Sequence, residues 1–293
     1  GKALGRGGMI GVAIDGTGAG HFQDNGCELC HELKDGDDKL KGYLHHFVMA
    51  GVVGVGLTLP VDVEPYGPGD CEYIAGQRLL KRVIVAVGPR FADYVVVGAG
   101  FATAPFLHAA NDVGLNVVAR LKGNLPDLYA AAQARFVGQP PTLTIETKKG
   151  ERIEIWDDED FDPWTTLRWT TVRVLRYRQH KADGSVVEAY WLTDFSKNQV
   201  SSERLYPMAK SRWEIENEGF NVGKTYYGME HIRHHHAKSL LIDWLIIILA
   251  VTIERLYRLR YLHRGSHRPY TAIALLRLLR LTLGLPVSSF NTS

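Results

Sequence analysis

Cysteine is scarce in this sequence, three among 293 residues. That is too few for a disulfide framework, and an odd count suits a reducing compartment. Net charge is nearly absent as well, +2 from 34 basic and 32 acidic side chains, so the overall balance points to no polyanionic partner. Long hydrophobic runs are also missing. The longest, residues 240–253 (LLIDWLIIILAVTI), carries Asp243; it is too short and too polar for a membrane span and reads as a buried helix. The opening GKALGRGGMIG lacks the apolar core of a signal peptide, and its glycines read as an interior segment of a longer protein. Internal repeats and low-complexity tracts are absent. What is present is 45 % hydrophobic, 10 % aromatic and 23 % charged residues, the composition of a folded chain of one large or two ordinary domains. A soluble, cytoplasmic globular protein is expected.

The charge is unevenly spread. Residues 1–203 hold 21 basic against 26 acidic side chains, and residues 204–293 hold 13 against 6. A basic C-terminal third is either an electrostatic footprint for nucleic acid or a solvated helix face.

Three regions follow from the pattern. Residues 9–15 (MIGVAID) read as a buried strand, with further strands around 44–53 and 56–63. After the turn PYGPGD, residues 71–86 space their apolar positions as a helix does. Strands at 94–97 and 116–121 alternate with helices at 104–113 and 125–136, implying a mixed sheet covered by helices over residues 9–138. Residues 139–203 change to short β-rich runs separated by KKG, DDEDFDP and KADG turns, an all-β insertion. From residue 204 to 293 the pattern is mainly helical.

Two acids stand out by position. Asp15 ends a buried apolar run, where a carboxylate is costly unless paired, hydrogen-bonded or metal-bound; the local IDGT is also turn-like. Glu216 lies in SRWEIENEGFNVGK, four residues after Arg212 and on the same helix face. That spacing also describes an ordinary surface ion pair. Brought together, two such carboxylates could bind Mg²⁺.

The segments AIDGT at 13–17, VVVGAGFATAPF at 95–106, VVARLKGN at 117–124 and SRWEIENEGFNVGK at 211–224 carry a resemblance that extends through GMEHIRHHH and IERLYRLRYLHRG. The chain resembles DDE transposases of bacterial insertion sequences, in the branch with a β-rich insertion before the last acid. That family's last acid follows the pattern Tyr, two residues, Arg, three residues, Glu, six residues, Lys. Arg212 and Glu216 keep the spacing, Ala209 replaces the Tyr, and Lys224 comes one residue late. The resemblance implies a ribonuclease-H-like fold, α/β with a five-stranded mixed sheet flanked by helices. It makes Asp15 and Glu216 the first and third catalytic, metal-binding acids. The second acid falls three residues before Phe101, at Gly98, which has no carboxylate; Asp93 comes too early in the chain to replace it.

The resemblance further implies Mg²⁺, with Mn²⁺ as substitute, and double-stranded DNA, element ends and target, bound by a homodimer in the bacterial cytoplasm at the nucleoid. The family reaction is hydrolysis that frees a 3′-hydroxyl, followed by attack of that hydroxyl on target DNA. Arg212 would contact phosphate or orient Glu216, and Lys224 would contact phosphate. Loss of the shared second carboxylate should empty or weaken at least one site of a two-metal centre, so this chain is expected to be impaired. An inactive DNA-binding derivative is the alternative, and a zinc- or histidine-dependent hydrolase a further one.

Other residues invite separate readings. Trp156, Trp164, Trp169 and Trp191 of the insertion could stack on a displaced base or fill a small β core. Trp213 is expected in the main core beside the last acid. Cys27 and Cys30 form a CxxC upstream of His45 and His46, a weak zinc pattern. His231 and His235 are four apart in a histidine-rich turn and could chelate a metal, although no HExxH pattern is present; they are expected on a helix, with polar groups partly buried or facing phosphate. GVVGVG at 51–56 is no dinucleotide fingerprint.

Overall fold

A computed structural model describes residues 8–24, 26–54, 58–262 and 271–284. The glycine-rich opening at 1–7, the end of GVVGVG and the tail of IERLYRLRYLHRG lie outside the described residues.

The chain begins with an antiparallel meander: β1 (Gly11–Phe22), β2 (Cys30–Lys34), β3 (Leu40–Val53) and β4 (Leu59–Tyr66). β3 pairs with β1 along one edge; along the other it pairs first with β2 and then with β4. Helix α1 (Glu72–Val87) leads to β5 (Tyr94–Val97), α2 (Ala104–Asp112) to β6 (Asn116–Leu121), and α3 (Pro126–Phe136) follows. β5 runs parallel to β1, and β6 parallel to β5. Both strands keep the bounds read from their apolar runs. Such runs are expected where a strand is covered on both faces.

The alternation of side chains makes two cores. Val12, Ile14, Val95, Val97, Val117 and Ala119 face one side, under α1, α2 and α3. Ala13, Tyr94, Val96 and Val118 face the other. There they meet α4 (Ser202–Lys210), a helical run from Arg212 to Tyr227 and the long α7 (Ala237–Tyr257). The run consists of α5 (Arg212–Glu214), a π-helical turn (Ile215–Phe220) and α6 (Asn221–Tyr227). α8 (Ala272–Thr282) follows.

The region after α3 corrects the expectation of a five-stranded sheet. β7 (Leu143–Glu146), β8 (Arg152–Phe161), β9 (Val172–His180) and β10 (Val186–Thr193) join the same sheet, because β10 pairs antiparallel with β6. The result is one ten-stranded sheet, ordered β2–β3–β1–β5–β6–β10–β9–β8–β7 with β4 also on β3. The acidic stretch DDEDF is strand, not turn. Asp157 is buried there because Arg173 on β9 donates to both its oxygens, at 2.8 and 2.5 Å. Charge pairing inside the sheet overrides the turn composition.

The insertion tryptophans are mostly packed. Trp156 and Trp191 are buried; Trp156 Nε1 donates to the Gln139 carbonyl and Trp169 Nε1 to Asn111 Oδ1. Trp164 is half-buried against the first core. Among the described residues no helix is long and apolar enough to cross a membrane.

Candidate functional site

Strand register builds the site. Ile14 pairs with Val97 across β1 and β5, and Val97 with Ala119 across β5 and β6. One residue further along each chain segment, Asp15, Gly98 and Arg120 stand in a row where the parallel pairing of β1 with β5 and of β5 with β6 ends. Clefts in α/β sheets form at such ends. All three follow residues of the first core, so alternation turns them toward the opposite face, where the helical run from Arg212 lies.

Within that run the glutamates of WEIENE divide their tasks. Glu214 Oε2 accepts from the Gly54 amide at 2.9 Å, and Glu218 Oε2 from the Thr58 amide at 3.2 Å. Both therefore tie this run to the end of β3 and to the residue before β4. Arg255 of α7 donates to the Glu218 and Thr58 carbonyls, which pins the π-helical turn from behind. Only Glu216 of the three turns to the cleft. Its Oε1 accepts from Arg212 Nη1 at 2.6 Å, and the same nitrogen donates to Asp15 Oδ2. π-helical turns recur at functional sites because they re-aim single side chains.

The resulting cleft encloses about 350 Å³ and is lined by Asp15, Glu72, Gly98, Arg120, Arg212 and Glu216, with Lys122 and Trp213 beside them. Burial pushes the Asp15 carboxyl up to about 7 despite the Arg212 guanidinium, with Glu216 and Glu72 adding to the rise. Burial also raises Glu72 above the usual carboxylate range, although the Gly16 amide and Arg212 oppose it. Desolvation lowers Arg120, with the like charge of Arg212 in support.

Asp15 and Glu216, the acids expected from sequence, are thus brought together through Arg212. Gly98 sits where its register predicts. A Cβ there would meet only Asp15 Oδ1, at 3.4 Å, and its backbone (φ −70°, ψ 173°) suits any residue. Asp93 lies at the other end of β5, accepting from the Ile10 amide.

Lys224 is not among the cleft-lining residues: its ammonium donates to the Gly18 carbonyl at 2.8 Å and pairs with Glu230 at 3.1 Å. Trp213, expected in the core, instead packs half-buried on the second core and lines the cleft, with Lys210 Nζ 4.4 Å from its ring centre.

Glu72 escaped the sequence reading. An acid in the first turn of an amphipathic helix is ordinary, and the only hint was the pair of glycines it abuts. A Cβ at Gly16 would strike Glu72 Oε1 at 2.0 Å, and one at Gly100 would lie 3.0 Å from Oε2. The histidine-rich stretch is a further correction: residues 231–236 form no helix between α6 and α7, so His231 and His235 do not share the helix face that their i, i+4 spacing would give.

The family model described as "Transposase DDE domain" matches residues 6–253. Among solved structures, a piggyBac transposase synaptic complex with hairpin DNA, determined by cryo-electron microscopy, is similar at 11 % identity and a TM-score of 0.49. The match covers 95 % of this chain and 55 % of that one, so this chain spans little more than half the length of its structural neighbour. A search of curated protein sequences finds no significant match. With most of its length matched by that model, the chain belongs to the family of transposase DDE domains.

Proposed function

We propose that the chain is a DNA transposase, cleaving DNA and joining strands by divalent-metal chemistry, with one metal site impaired at Gly98. The observation that carries this reading is the cleft in which Asp15 and Glu216 share Arg212 while Gly98 occupies the wall beside Asp15. The sheet order adds support. The meander of β1, β3 and β4, followed by β5 and β6 parallel to β1, is the strand order that the proposed ribonuclease-H-like core would have.

The donors fit a hard divalent cation such as Mg²⁺ or Mn²⁺, which takes carboxylate oxygens and phosphate. Asp15 and Glu216 would hold it, with Glu72 as a third carboxylate on the cleft wall. Bound ions of this kind stabilise the attacking and leaving oxygens of phosphodiester displacement. The chain's own residues do the remainder. Arg212 keeps the two carboxylates oriented on one point and offsets their repulsion. Arg120 and Lys122 also line the cleft and present positive charge, which would position a DNA phosphate without reading of sequence. Trp213 offers a ring face at the cleft edge for an unstacked base. Lys224 has one ammonium hydrogen beyond those given to Gly18 and Glu230, which leaves it a phosphate contact on the flank. The basic helices beyond residue 204 extend the footprint on duplex DNA, and a homodimer would engage element ends and target together.

One observation favours a second reading, a DNA-binding relative without chemistry. Arg212 already bridges both carboxylates, supplying positive charge of the kind a metal ion would bring.

A plasmid-nicking assay in Mg²⁺ or Mn²⁺ separates the readings. The chain should bind duplex DNA with salt-sensitive affinity and nick it weakly, whereas Gly98→Asp should nick it strongly and Asp15→Asn not at all. Equal nicking by the unaltered chain and Gly98→Asp would remove the impairment. Binding without nicking by Gly98→Asp would leave the second reading standing.

A further inference from the structure

Away from the acidic cleft, four metal-ligating side chains meet at the far end of the β1–β3 meander. Cys27 lies in the turn between β1 and β2, Cys30 opens β2, and His45 is the register partner of Cys30 on β3. His235 arrives from the non-helical segment between α6 and α7. Cys27 Sγ is 3.8 Å from Cys30 Sγ and 3.1 Å from His45 Nε2, and Cys30 Sγ is 3.5 Å from the same nitrogen. With one nitrogen from His235, all four ligand atoms lie within 4.8 Å of one another.

Zinc bonds of about 2.3 Å to sulfur and about 2.0–2.1 Å to nitrogen, set at tetrahedral angles, put ligand atoms about 3.3–3.8 Å apart. The sulfur–sulfur contact has the length of such an edge and is far beyond a disulfide bond of about 2.05 Å. The surroundings support the set. Phe22 packs against both rings, 5.0 Å from His45 and edge-on 4.6 Å from His235. At Gly26 a Cβ would fall 2.3 Å from the His235 ring, so a bare backbone is what lets that ring approach. His45 Nδ1 has no hydrogen-bond partner among the described residues; the buried ring is held in polar fashion only through Nε2 and the two sulfurs. Cys30 and His45 are buried, Cys27 is half-buried and His235 is exposed, which provides a way in for an ion.

We propose that Cys27, Cys30, His45 and His235 form a zinc site that fastens the segment between α6 and α7 to the β1–β3 meander. Four protein ligands close the coordination sphere, which makes the site structural rather than catalytic. Binding releases the two thiol protons. The fastened segment directly follows the helical run that carries Glu216, and Lys224 in that run already reaches the Gly18 carbonyl on β1. The clip therefore fixes how the last-acid helix lies along the first-acid strand. His46, the other histidine beside the CxxC, turns away to His31 and Tyr66.

The test is zinc content by mass spectrometry of the full chain, produced with zinc and purified under reducing conditions, followed by Co²⁺ substitution. The expected result is one zinc per chain and a tetrahedral cobalt spectrum with thiolate charge-transfer absorption. Loss of an outer partner to a metal ligand already weakens binding about 10–100-fold, so His235→Ala should weaken retention against a chelator at least about tenfold. His235 is exposed, so this variant stays informative if Cys27→Ser or Cys30→Ser does not fold. His46→Ala and His231→Ala should retain the metal. Zinc-free protein, retention unaffected by His235→Ala, or a Cys27–Cys30 disulfide in zinc-free chain would overturn the proposal.

Discussion

Asp15 and Gly98 are neighbours across the β1–β5 pair, close enough that a Cβ on Gly98 would touch Asp15 Oδ1 at 3.4 Å. The position demands no glycine, since its backbone is ordinary extended chain. A carboxylate there would share the cleft with Asp15, Glu72 and Glu216.

A first prediction follows from adding that charge. Gly98→Asp should lower the melting temperature in chelator, because a further acid joins a site where burial already disfavours ionisation. Mn²⁺ should raise its melting temperature by more than it raises that of the unaltered chain, since binding to the folded state stabilises it by mass action. Thermal scans with and without Mn²⁺ measure both. Equal responses of the two proteins would contradict the placement of residue 98 in a metal site.

A second concerns pH. The Asp15 carboxyl titrates near 7 in the folded chain against 3.8 for the free group. Between those values the folded state holds more protons than the unfolded one, so this group makes stability fall as pH rises from about 4 through 7. Asp15→Asn removes that contribution. In metal-free buffer the variant should gain stability relative to the unaltered chain as pH is raised through this window. Urea unfolding at several pH values reads the difference, and a flat or declining difference would contradict the origin assigned to the shift.

A third concerns the extended sheet. Arg173 and Asp157 have side chains only 1 % and 0 % exposed, and Arg173 also donates to the Val200 carbonyl at 2.7 Å, ahead of α4. Asp157→Ala leaves a buried guanidinium without its counter-charge, a change that typically costs about 3–5 kcal/mol. Denaturant unfolding should show a loss of that size, together with weakened docking of the chain entering α4. A loss below about 1 kcal/mol, typical of exposed pairs, would contradict the burial.

Much of this arrangement was legible in the sequence, for local reasons. Tyr94–Val97 is a continuous apolar run, and Val117–Ala119 at the middle of β6 is another, because both faces of those strands are covered; the last pairing of β1 with β5 marks the row on which Asp15 and Gly98 lie. Glu216 was singled out through the resemblance, whose last-acid pattern the Arg212–Glu216 spacing keeps; the spacing alone describes an ordinary ion pair. What stayed hidden depends on contacts between distant segments. Glu72 reads as an ordinary first-turn acid until α1 is laid against Gly16 and Gly100. Cys27, Cys30 and His45 were visible together, but His235 joins them only through the path of the chain between α6 and α7. The pairing of β10 with β6, which merges the insertion with the main sheet, is carried by backbone hydrogen bonds that no residue pattern announces. Trp213 has core composition but a cleft position, because the helical run turns its ring toward Lys210 and the cleft.

The most direct test of the central claim is an anomalous-difference map from crystals of the unaltered chain and of Gly98→Asp, both soaked in Mn²⁺. The account predicts at most one strong peak in the unaltered chain, between Asp15 and Glu216, and two peaks sharing the new carboxylate in the variant. Two full peaks in the unaltered chain, or none within reach of Asp15 and Glu216 in either crystal, would contradict it.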